Sequence, residues 1–375
     1  MRYVPYGKTG DDVSVVGFGG MRFDMDRPQA ENAELVRYAS SLGINYFDTA
    51  PGYCNDKSED IMGLAFQDMP NPFFCSTKGM PTSFDTRQKA IDAVKKSRDR
   101  LGVECIDYYH VWCLRKMEHF ELATKPGGQY EGLKQCQQDG LIRNIVFSSH
   151  QSGPEIRRIL ESGLFEGVLI GVNVMNFPFR WEGLKAAEEL GAGVVAMNPL
   201  GGGTIPQHAE KLGFLAGPGE TPVEAALRFN IGLPQITITL PGFTTREHVE
   251  MACRIADGAQ PFSDEETQAV GQRVSEGMNA ACTACGYCLQ CPEEIPIDAY
   301  MMYYNNKVMF GASDEDMKKT LGFELSWGTM ADAVGHAGDC IECGRCEQRC
   351  TQHLDIMERL REIGSWERQL ADAGE

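Results

Sequence analysis

The sequence predicts an α/β fold, a (β/α)8 TIM barrel followed by a smaller α-helical domain that binds metal. Two observations lead to this prediction. Eight short β-rich runs alternate with helical patterns along roughly the first two thirds of the chain. Eight of the 14 cysteines then fall in two short runs near the C-terminus.

The barrel strands are predicted after an N-terminal hairpin at residues 1–15, where Gly7 and Gly10 lie among turn-forming residues. Each β-rich run is followed by a pattern suited to a helix. A doubly wound open sheet is the alternative, and we disfavour it because no G-x-G-x-x-G motif opens the first helix. The eight predicted strands are residues 15–18, 45–48, 73–77, 106–111, 144–147, 168–174, 194–197 and 236–240.

Helix-start signals set the predicted domain boundary. The segment Ser263-Asp264-Glu265-Glu266 pairs an N-cap residue with an acidic residue three positions later, which is typical of a helix start. We predict that this helix leaves the barrel, so that residues 1–262 form the barrel and residues 263–375 form the helical domain. Further helices in that domain are predicted at residues 299–319, 325–336 and 355–373. The last is amphipathic, with one apolar side formed by Ile356, Leu360, Ile363, Trp366 and Leu370.

The cysteine runs have the spacing of iron–sulfur ligands. In each run three cysteines stand at C-x-x-C-x-x-C spacing and a fourth follows. Three such thiolates can hold one [4Fe–4S] cluster, and the fourth cysteine is commonly lent to the other cluster. We therefore predict a ferredoxin-like domain with two [4Fe–4S] clusters. The predicted ligands are Cys282, Cys285, Cys288 and Cys350 for one cluster, and Cys340, Cys343, Cys346 and Cys291 for the other.

Zinc sites and disulfides are the alternatives for these cysteines. Zinc sites use C-x-x-C pairs with a longer gap between the pairs, and only four ligands for each ion. Disulfides belong to oxidising compartments and small secreted chains. The other six cysteines are scattered, as reduced thiols in a cytoplasm would be, and we expect the cytoplasm of an oxygen-avoiding microbe.

Charge and hydropathy narrow the possible partners. The formal net charge is −18, which disfavours a nucleic-acid partner because such proteins cluster Lys and Arg. No apolar run near Met1 resembles a secretory signal, and no run is long enough to span a bilayer. We therefore expect a cytoplasmic protein with no membrane partner.

Three polar residues lie at the ends of the second and third predicted strands: Asp48, Tyr53 and Lys78. Barrels of this type place their chemistry at the C-terminal ends of the strands. We expect Asp48 to hold the Lys78 ammonium, and the ammonium to lower the pKa of the Tyr53 phenol. Tyr53 can then protonate a carbonyl oxygen or, in reverse, remove an alcohol proton. Each residue alone has a structural explanation as a turn cap or a surface group, but the combination favours catalysis.

These motifs resemble the aldo/keto reductase superfamily, and the whole chain resembles its iron–sulfur-containing branch with a C-terminal 4Fe–4S ferredoxin-type domain. The resemblance implies an Asp, Tyr, Lys and His tetrad and an extended NAD(P)H. The matching segments are Gly17-Phe18-Gly19-Gly20-Met21, Asp48-Thr49-Ala50 with Tyr53, Lys57-Ser58-Glu59, Ser76-Thr77-Lys78, Ile142-Arg143 with Ser148-Ser149, Asn198-Pro199-Leu200-Gly201-Gly202-Gly203, and Leu240-Pro241-Gly242.

The fourth tetrad position departs from the family. The family histidine falls where this chain has Trp112, whereas His110 stands two residues earlier. Residues i and i+2 of a strand share a face, so we expect His110 to complete the tetrad from one step deeper in the pocket. His150 is another candidate donor, and a hydrogen-bonded core histidine is the structural alternative for His110.

The resemblance also implies which residues bind the nucleotide, but this sequence has only some of the family's nucleotide-binding residues. The adenine-binding Glu-Asn pair of the family is absent, because Met251 and Ala252 stand near its position. A helix N-terminus after Gly242 can still hold a phosphate. The implied NAD(P)H-binding residues are Gly20, Met21, Ser148, Ser149, Met197, Pro199, Leu200, Gly242, Thr244, Thr245 and Arg246.

The leading hypothesis is an oxidoreductase of aldo/keto reductase type that reduces a small carbonyl, or oxidises an alcohol, with NAD(P)H. The two clusters would exchange electrons with an external partner such as a ferredoxin, since hydride transfer alone needs no cluster. One alternative is a cluster-driven reductase that has lost nicotinamide use. Another is that the clusters are purely structural. A non-enzymatic electron carrier is disfavoured because the chain keeps Asp48, Tyr53 and Lys78.

Overall fold

The computed structural model describes residues 1–277, 281–282, 288–331, 333–350 and 352–374. Two antiparallel strands form the predicted N-terminal hairpin, and eight parallel strands follow in one sheet. The hairpin strands are β1 (Tyr3–Pro5) and β2 (Asp12–Ser14). The parallel strands are β3 (Phe18–Gly19), β4 (Tyr46–Asp48), β5 (Phe74–Gly79), β6 (Ile106–Leu114), β7 (Ile142–Ser149), β8 (Gly167–Gly171), β9 (Gly193–Met197) and β10 (Ile238–Leu240).

The parallel sheet closes on itself. Neighbouring strands pair in chain order from β3 to β10, and parallel bridges join Val16 to Thr239 and Gly19 to Gly242. The N–H of Gly17 donates to the carbonyl of Thr239 at 2.9 Å, and the N–H of Thr239 donates to the carbonyl of Val15 at 2.8 Å. These contacts join the first strand to the last, so the predicted (β/α)8 barrel is confirmed.

Aromatic side chains fill the N-terminal half of the barrel interior. The ring of Tyr6 packs against Tyr108 at 4.4 Å between centroids, and Tyr46 lies 5.5 Å from Tyr108. All three side chains are fully buried. A Cβ at Gly193 would come within 2.3 Å of the Tyr6 ring, so only glycine lets this plug approach β9.

Strand β6 carries one interior side chain in each of three successive layers. Tyr108 belongs to the aromatic plug, His110 is fully buried above it, and Trp112 is only half-buried toward the C-terminal end. This alternation is the expected period of two. His110 therefore lies one layer deeper than Trp112, as the sequence spacing predicts.

The chain divides into two compact units. The first comprises Met1–Asn173, Glu182–Gly203 and Val223–Ser263. The second comprises Val174–Trp181, Thr204–Pro222 and Asp264–Glu375. Two segments that follow β8 and β9 along the chain therefore group with the C-terminal residues.

Helices follow the barrel strands and make up most of the second unit. The helices of the described residues are α1 (Gln29–Ser41), α2 (Tyr53–Asp56), α3 (Ser58–Phe66), α4 (Arg87–Leu101), α5 (Met117–Thr124), α6 (Gln129–Gln138), α7 (Gly153–Glu161), α8 (Phe177–Leu190), α9 (Thr204–Gln207), α10 (Pro222–Gly232), α11 (Arg246–Gly258), α12 (Asp264–Gly277), α13 (Ile297–Phe310), α14 (Asp314–Ser326), α15 (Arg345–Arg349) and α16 (Ile356–Gly374). No helix in the part of the chain that the structure describes is long and apolar enough to cross a membrane.

Two helix predictions in the second unit are wrong. The predicted helix at 299–319 is two helices, because Gly311 caps α13 with a φ of 68° and Ser313 opens α14 with a capping box. The described part of the predicted helix at 325–336 is non-helical beyond Ser326. Gly335 there lies against the backbone of Glu293, where a Cβ would come within 1.9 Å of the carbonyl oxygen.

The C-terminal helix agrees with its predicted pattern. Its apolar face is buried in a core that also takes in α13 and α14. The buried side chains of that face are Ile356, Leu360, Ile363 and Trp366. This one-sided pattern is why a charged 19-residue segment forms a helix that packs.

Candidate active site and cysteine cavity

Asp48 and Lys78 form a buried ion pair at the C-terminal end of the barrel. Asp48 ends β4 and Lys78 lies near the end of β5, so both side chains enter the barrel interior. Lys78 Nζ lies 2.5 Å from Asp48 Oδ1 and donates to the carbonyl of Thr49 at 2.6 Å. Burial lowers the pKa of Lys78, and the charge of Asp48 opposes that shift.

Hydrogen bonds behind the pair fix the two strand ends. The hydroxyls of Thr49 and Ser58 lie 2.6 Å apart, and Ser58 donates to the carbonyl of Gly20 at 2.7 Å. Thr77, next to Lys78, donates to the buried carboxylate of Glu59 at 2.7 Å. The Ser58-Glu59 segment therefore supports the strand ends that carry Asp48 and Lys78.

Tyr53 lies directly beside this ion pair. Lys78 Nζ is 5.2 Å from the centroid of its ring, and the Trp112 ring meets it edge-on at 5.7 Å. Among the described residues, the Tyr53 hydroxyl has no hydrogen-bond partner, so it is available to a ligand. Three residues that follow, Cys54, Asn55 and Asp56, have positive φ angles and form the tight turn that presents the phenol.

The expected lowering of the Tyr53 pKa is wrong. Burial and the nearby carboxylate of Asp48 instead raise the pKa of the phenol well above its usual value. The Lys78 ammonium donates to Asp48 and Thr49, so its charge does not outweigh the loss of water around the ring. Tyr53 is a phenol that holds its proton.

His110 is fully buried and lies near Asp48. Its Nδ1 is 3.2 Å from the carbonyl of Phe147, and its Nε2 is 3.0 Å from the hydroxyl of Ser76. The Asp48 carboxylate is 3.9 Å from Nε2, beyond hydrogen-bond distance. Burial and the charge of Lys78 lower the pKa of His110 to about 4, so the imidazole is neutral at physiological pH.

The position of the family histidine is therefore filled by an aromatic side chain. Trp112 contacts Tyr53, whereas His110 contacts Ser76 and Phe147 below it. His150, the other candidate, is half-buried after β7 and lies near Gly171, where its Nδ1 would be 3.9 Å from an added Cβ.

Ser148 and Ser149 hold an irregular stretch of β6. The pairing of β6 with β7 shifts register between Val111 and Leu114, and Cys113 has a φ of 61°. Ser148 Oγ accepts from the N–H of Cys113 at 2.7 Å, and Ser149 donates to the carbonyl of Leu114 at 2.7 Å. The Ser148 hydroxyl hydrogen is left for a ligand, whereas Ser149 is fully buried and also accepts from Gln151.

The other implied nucleotide residues lie at the same end of the barrel strands. Gly20 is buried against Ser58, where a Cβ would come within 2.7 Å of the hydroxyl, and Met21 is 54% exposed. Met197 ends β9 half-buried, and Pro199 and Leu200 follow it.

The glycines after Leu200 form the turn that follows β9. Gly201, Gly202 and Gly203 all have positive φ angles, which side chains rarely allow. The N–H groups of Gly201 and Gly203 donate to the carbonyls of Asn198 and Leu200. The turn is therefore closed by its own backbone.

The N-terminus of α11 carries the predicted phosphate-binding residues. Thr245 caps the helix by accepting from the N–H of His248, and Arg246 stacks over the Tyr38 ring at 4.5 Å. Arg27 donates to the carbonyl of Thr244 at 3.3 Å. Positive side chains and a helix N-terminus together suit an anion.

Two neighbours modify this anion-binding end. The Arg22 side chain covers exposed Gly242, where a Cβ would come within 2.6 Å of Arg22 Cγ. The carboxylate of Glu247 already bonds the backbone there, which lowers its pKa. A phosphate would therefore compete with Glu247 for the first turn of the helix.

Five of the predicted cluster ligands line one cavity in the second unit: Cys288, and four cysteines that were predicted to share one cluster. The cavity opens to solvent, and two arginines, Arg345 and Arg349, also line it. Burial and neighbouring thiols raise the pKa of Cys340, and burial raises that of Cys346 to about 11. The four cysteines are Cys291, Cys340, Cys343 and Cys346, the set predicted to share one cluster.

The other predicted ligands are only partly described. Cys282 is buried, and its backbone N–H and carbonyl are both bonded by the Asn305 side chain. Cys288 and Cys350 pack against the same core, and Cys288 also borders the cavity. Cys285 lies outside the described residues. No three Cys, His, Asp or Glu side chains within the described ranges are close enough to hold a single metal ion.

Comparison with known proteins identifies the class of protein that this barrel defines. The Aldo/keto reductase family matches residues 15–273, more than half of the chain, and a 4Fe-4S dicluster domain matches residues 281–354. The chain belongs to the aldo/keto reductase family and is an oxidoreductase with a C-terminal 4Fe-4S ferredoxin-type domain.

Individual relatives agree with this assignment. The chain is 24% identical over 315 residues to the uncharacterised oxidoreductase YqkF of Bacillus subtilis, covering 75% of this chain and 99% of that one. The aldo-keto reductase AKR11C1 of Bacillus halodurans shares the fold at a TM-score of 0.63 and 20% identity, over 73% of this chain and 96% of that chain. An aldo-keto reductase from Klebsiella pneumoniae, solved with NADPH, has a TM-score of 0.58 and 18% identity, over 72% and 94%.

Two groups that act on the ion pair have roles that the sequence motifs did not predict. Thr49 supplies a carbonyl to Lys78, and Ser76 donates to Asp48 Oδ2 at 2.7 Å. The signal for Ser76 was present, because it stands two residues before Lys78 on one strand and so faces the same interior. The parallel register then pairs it with Asp48.

Proposed function

We propose that this protein is an NADPH-dependent carbonyl reductase whose C-terminal domain holds two [4Fe–4S] clusters that exchange electrons with a ferredoxin-like partner. The observation that carries the proposal is the buried Asp48–Lys78 pair beside a phenol without a hydrogen-bond partner among the described residues. Tyr53 can donate its proton to a carbonyl oxygen as that oxygen becomes an alkoxide, and Lys78 stabilises the phenolate that remains.

The raised pKa of Tyr53 supports reduction over oxidation. A phenol that holds its proton is ready to protonate a developing alkoxide, which is a far stronger base. Alcohol oxidation needs the phenolate instead, and burial disfavours it. Trp112 beside Tyr53 gives the substrate side of the site an apolar wall, so we propose a small carbonyl compound with an apolar or aromatic part.

The residues at the C-terminal end of the strands fit a nicotinamide nucleotide. NADPH supplies a hydride when bound. The Ser148 hydroxyl hydrogen could bond a carboxamide, and Arg27 and Arg246 beside the N-terminus of α11 would offer positive charge to a phosphate. The NADPH bound by the Klebsiella relative supports the same choice of nucleotide.

The cysteine cavity fits an iron–sulfur group. Five thiols line this cavity, and thiolates are the ligands of iron–sulfur clusters. Burial raises the pKa of Cys340 and Cys346, and a bound cluster would offset that cost of ionisation. A bound cluster supplies one-electron chemistry, and the three described ligands Cys282, Cys288 and Cys350 with Cys285 would hold the second. Cys54, Cys75 and Cys136 in the barrel are free thiols, which suits a reducing cytoplasm.

A cluster-driven reductase without nicotinamide use is the second candidate. Buried Ala252 near the adenine-binding position, the engaged Ser149 hydroxyl and Glu247 at the helix N-terminus favour it. In that case the Asp48–Lys78 pair and Tyr53 would serve the same proton transfer.

Anaerobic titration with NADPH and NADH tests the proposal. We expect quenching of nicotinamide fluorescence with NADPH, oxidation of NADPH on adding 4-nitrobenzaldehyde, and bleaching of the cluster absorbance if the clusters exchange electrons with the nucleotide. Binding of neither nucleotide would overturn the proposal and leave the second candidate. Nucleotide oxidation without any cluster bleaching would favour a structural role for the clusters.

A further inference from the structure

A chain of polar groups runs from the buried ion pair into the barrel interior. Ser76 Oγ lies 2.7 Å from Asp48 Oδ2 and 3.0 Å from His110 Nε2. His110 Nδ1 in turn lies 3.2 Å from the carbonyl of Phe147. Ser76, His110 and Lys78 are all fully buried, so water does not compete for these contacts.

The Ser76 hydroxyl has fewer protons to donate than it has acceptors around it. A backbone carbonyl only accepts, so the contact with Phe147 places the proton of the neutral imidazole on Nδ1. Nε2 is then an acceptor, and so is the Asp48 carboxylate. Ser76 has one hydroxyl proton for these two acceptors.

The surrounding groups keep His110 neutral. The charged groups near it are Lys78 on β5, which lowers its pKa, and Asp48 on β4, which opposes that shift. The neighbouring strand β7 contributes only the Phe147 carbonyl. The buried Tyr46 hydroxyl carries no charge; it lies close enough to Ser76 for that hydroxyl to affect the Tyr46 pKa, but outside regular hydrogen-bond geometry.

We propose that His110 and Ser76 are positioning residues: the imidazole shares the single Ser76 hydroxyl proton with Asp48 and so sets how firmly the carboxylate holds Lys78. This inference rests on the proposed carbonyl reduction. It removes His110 from contact with substrate and assigns that side of the site to Trp112. The proton moves by rotation of the Ser76 hydroxyl, and no bond other than a hydrogen bond forms or breaks.

Two His110 variants separate the possible roles. His110→Gln keeps one acceptor for Ser76 and one N–H for Phe147, whereas His110→Leu keeps neither. With NADPH and 4-nitrobenzaldehyde, we expect kcat of His110→Gln to stay within about threefold of wild type and that of His110→Leu to fall about tenfold, at unchanged KM. Equal, large losses in both variants would show a proton donor, and no loss in either would show a space filler; both results overturn the proposal.

Ser76→Ala completes a double-mutant cycle. Because His110 acts through Ser76, we expect Ser76→Ala to lose about tenfold in kcat and the double variant with His110→Leu to lose no more. Losses that multiply would show that the two residues act independently and would contradict the proposal. If His110→Leu does not fold, the comparison of Ser76→Ala with His110→Gln carries the same test.

A measurement without turnover separates this inference from the proposed function. In protein labelled with ¹⁵N-histidine, the His110 signals are assigned by their loss in His110→Gln. At pH 7 we expect a neutral ring with its proton on Nδ1, and an Nε2 resonance that shifts in Ser76→Ala as the hydroxyl is lost. A proton on Nε2, or no shift, overturns the inference even if NADPH is oxidised. Absence of turnover in wild type with the expected shift would overturn only the proposed function.

Discussion

The barrel site and the cysteine cavity both gather ionisable side chains, but only the barrel site joins a buried cation to a buried carboxylate. Lys78 meets the Asp48 carboxylate and the Thr49 carbonyl, so its burial is offset by two short contacts. In the cavity, burial and, less strongly, neighbouring thiols raise the pKa of Cys340, so the charged form of this thiol is disfavoured. Protein groups alone therefore balance the charges of the barrel pair, whereas the thiols of the cavity would, in our proposal, be balanced by an iron–sulfur group.

The largest expected effect tests the barrel half of this comparison. Tyr53→Phe removes the only proton that the site offers to a substrate oxygen in our proposal. We expect kcat for NADPH-dependent reduction of 4-nitrobenzaldehyde to fall about 10²–10⁴-fold. Affinity for NADPH, measured by fluorescence quenching, should stay nearly the same. The control is Tyr3→Phe at an exposed site, and unchanged turnover in Tyr53→Phe would remove the phenol from the mechanism.

A second substitution tests whether the Asp48 carboxylate offsets the cost of burying the Lys78 ammonium. Asp48→Asn leaves the Lys78 charge buried without its carboxylate, and we expect a loss of about 3–5 kcal/mol in the free energy of unfolding. Asp85→Asn breaks the exposed Lys89–Asp85 pair and serves as the control, with no measurable change expected. Denaturant unfolding of the iron-loaded protein measures both. Equal free energies of unfolding for the two variants would show that Asp48 does not offset the cost of burying the Lys78 charge.

The pH dependence sharpens the assignment of Tyr53 as an acid. Because burial raises its pKa, the phenol keeps its proton through neutral and mildly alkaline pH. We expect the kcat of reduction to stay flat between about pH 6 and 9, and alcohol oxidation to rise about tenfold for each pH unit. A fall in reduction centred near neutral pH would show that another group supplies the proton.

A substitution at the predicted phosphate-binding end of the nucleotide site is expected to have a smaller effect. Arg246→Gln removes a positive charge beside the N-terminus of α11, and we expect KM for NADPH to rise about tenfold while KM for NADH changes little. Lys95→Gln on the exposed side of α4 is the control. A parallel rise for both nucleotides would mean that Arg246 stabilises the fold around Tyr38 and does not read the extra phosphate.

The smallest change tests the cavity half of the comparison. Cys343→Ser removes one thiol from the cavity, and we expect the iron content to fall by about half while the barrel stays folded. Iron per chain and limited proteolysis report the two outcomes. Cys105→Ser in the barrel is the control. Full iron content in Cys343→Ser would contradict its role as a ligand.

The sequence was sufficient to predict which residues lie at the ends of the barrel strands. It was not sufficient to predict the effect of burial on a pKa or hydrogen bonds between different strands. Asp48 and Lys78 follow from their places at the ends of β4 and β5, because parallel strand ends meet at one edge. The sign of the Tyr53 pKa shift required the three-dimensional surroundings, since desolvation outweighs a neighbouring ammonium. Ser76 was missed because its partners lie on two other strands.

Helix boundaries in the second unit show the same limit. The apolar spacing of α16 was strong enough to predict its buried face. The break at Gly311 depends on one left-handed residue and a capping box, which a continuous periodic pattern conceals. The left-handed glycine and the capping box therefore end one helix and start another, although the apolar pattern continues through both.

The seam of the barrel has a consequence for biosynthesis. Gly17 and Val15 form hydrogen bonds with Thr239, which lies more than two hundred residues later in the chain. During translation, the first barrel strand therefore cannot pair with the last one until the last one has been synthesised. Until Thr239 has left the exit tunnel, the edge of β3 stays unpaired and open to wrong partners. The eight cysteines of the two C-terminal runs are translated later still, so any cluster that they bind can be assembled only after the last barrel strand has been made.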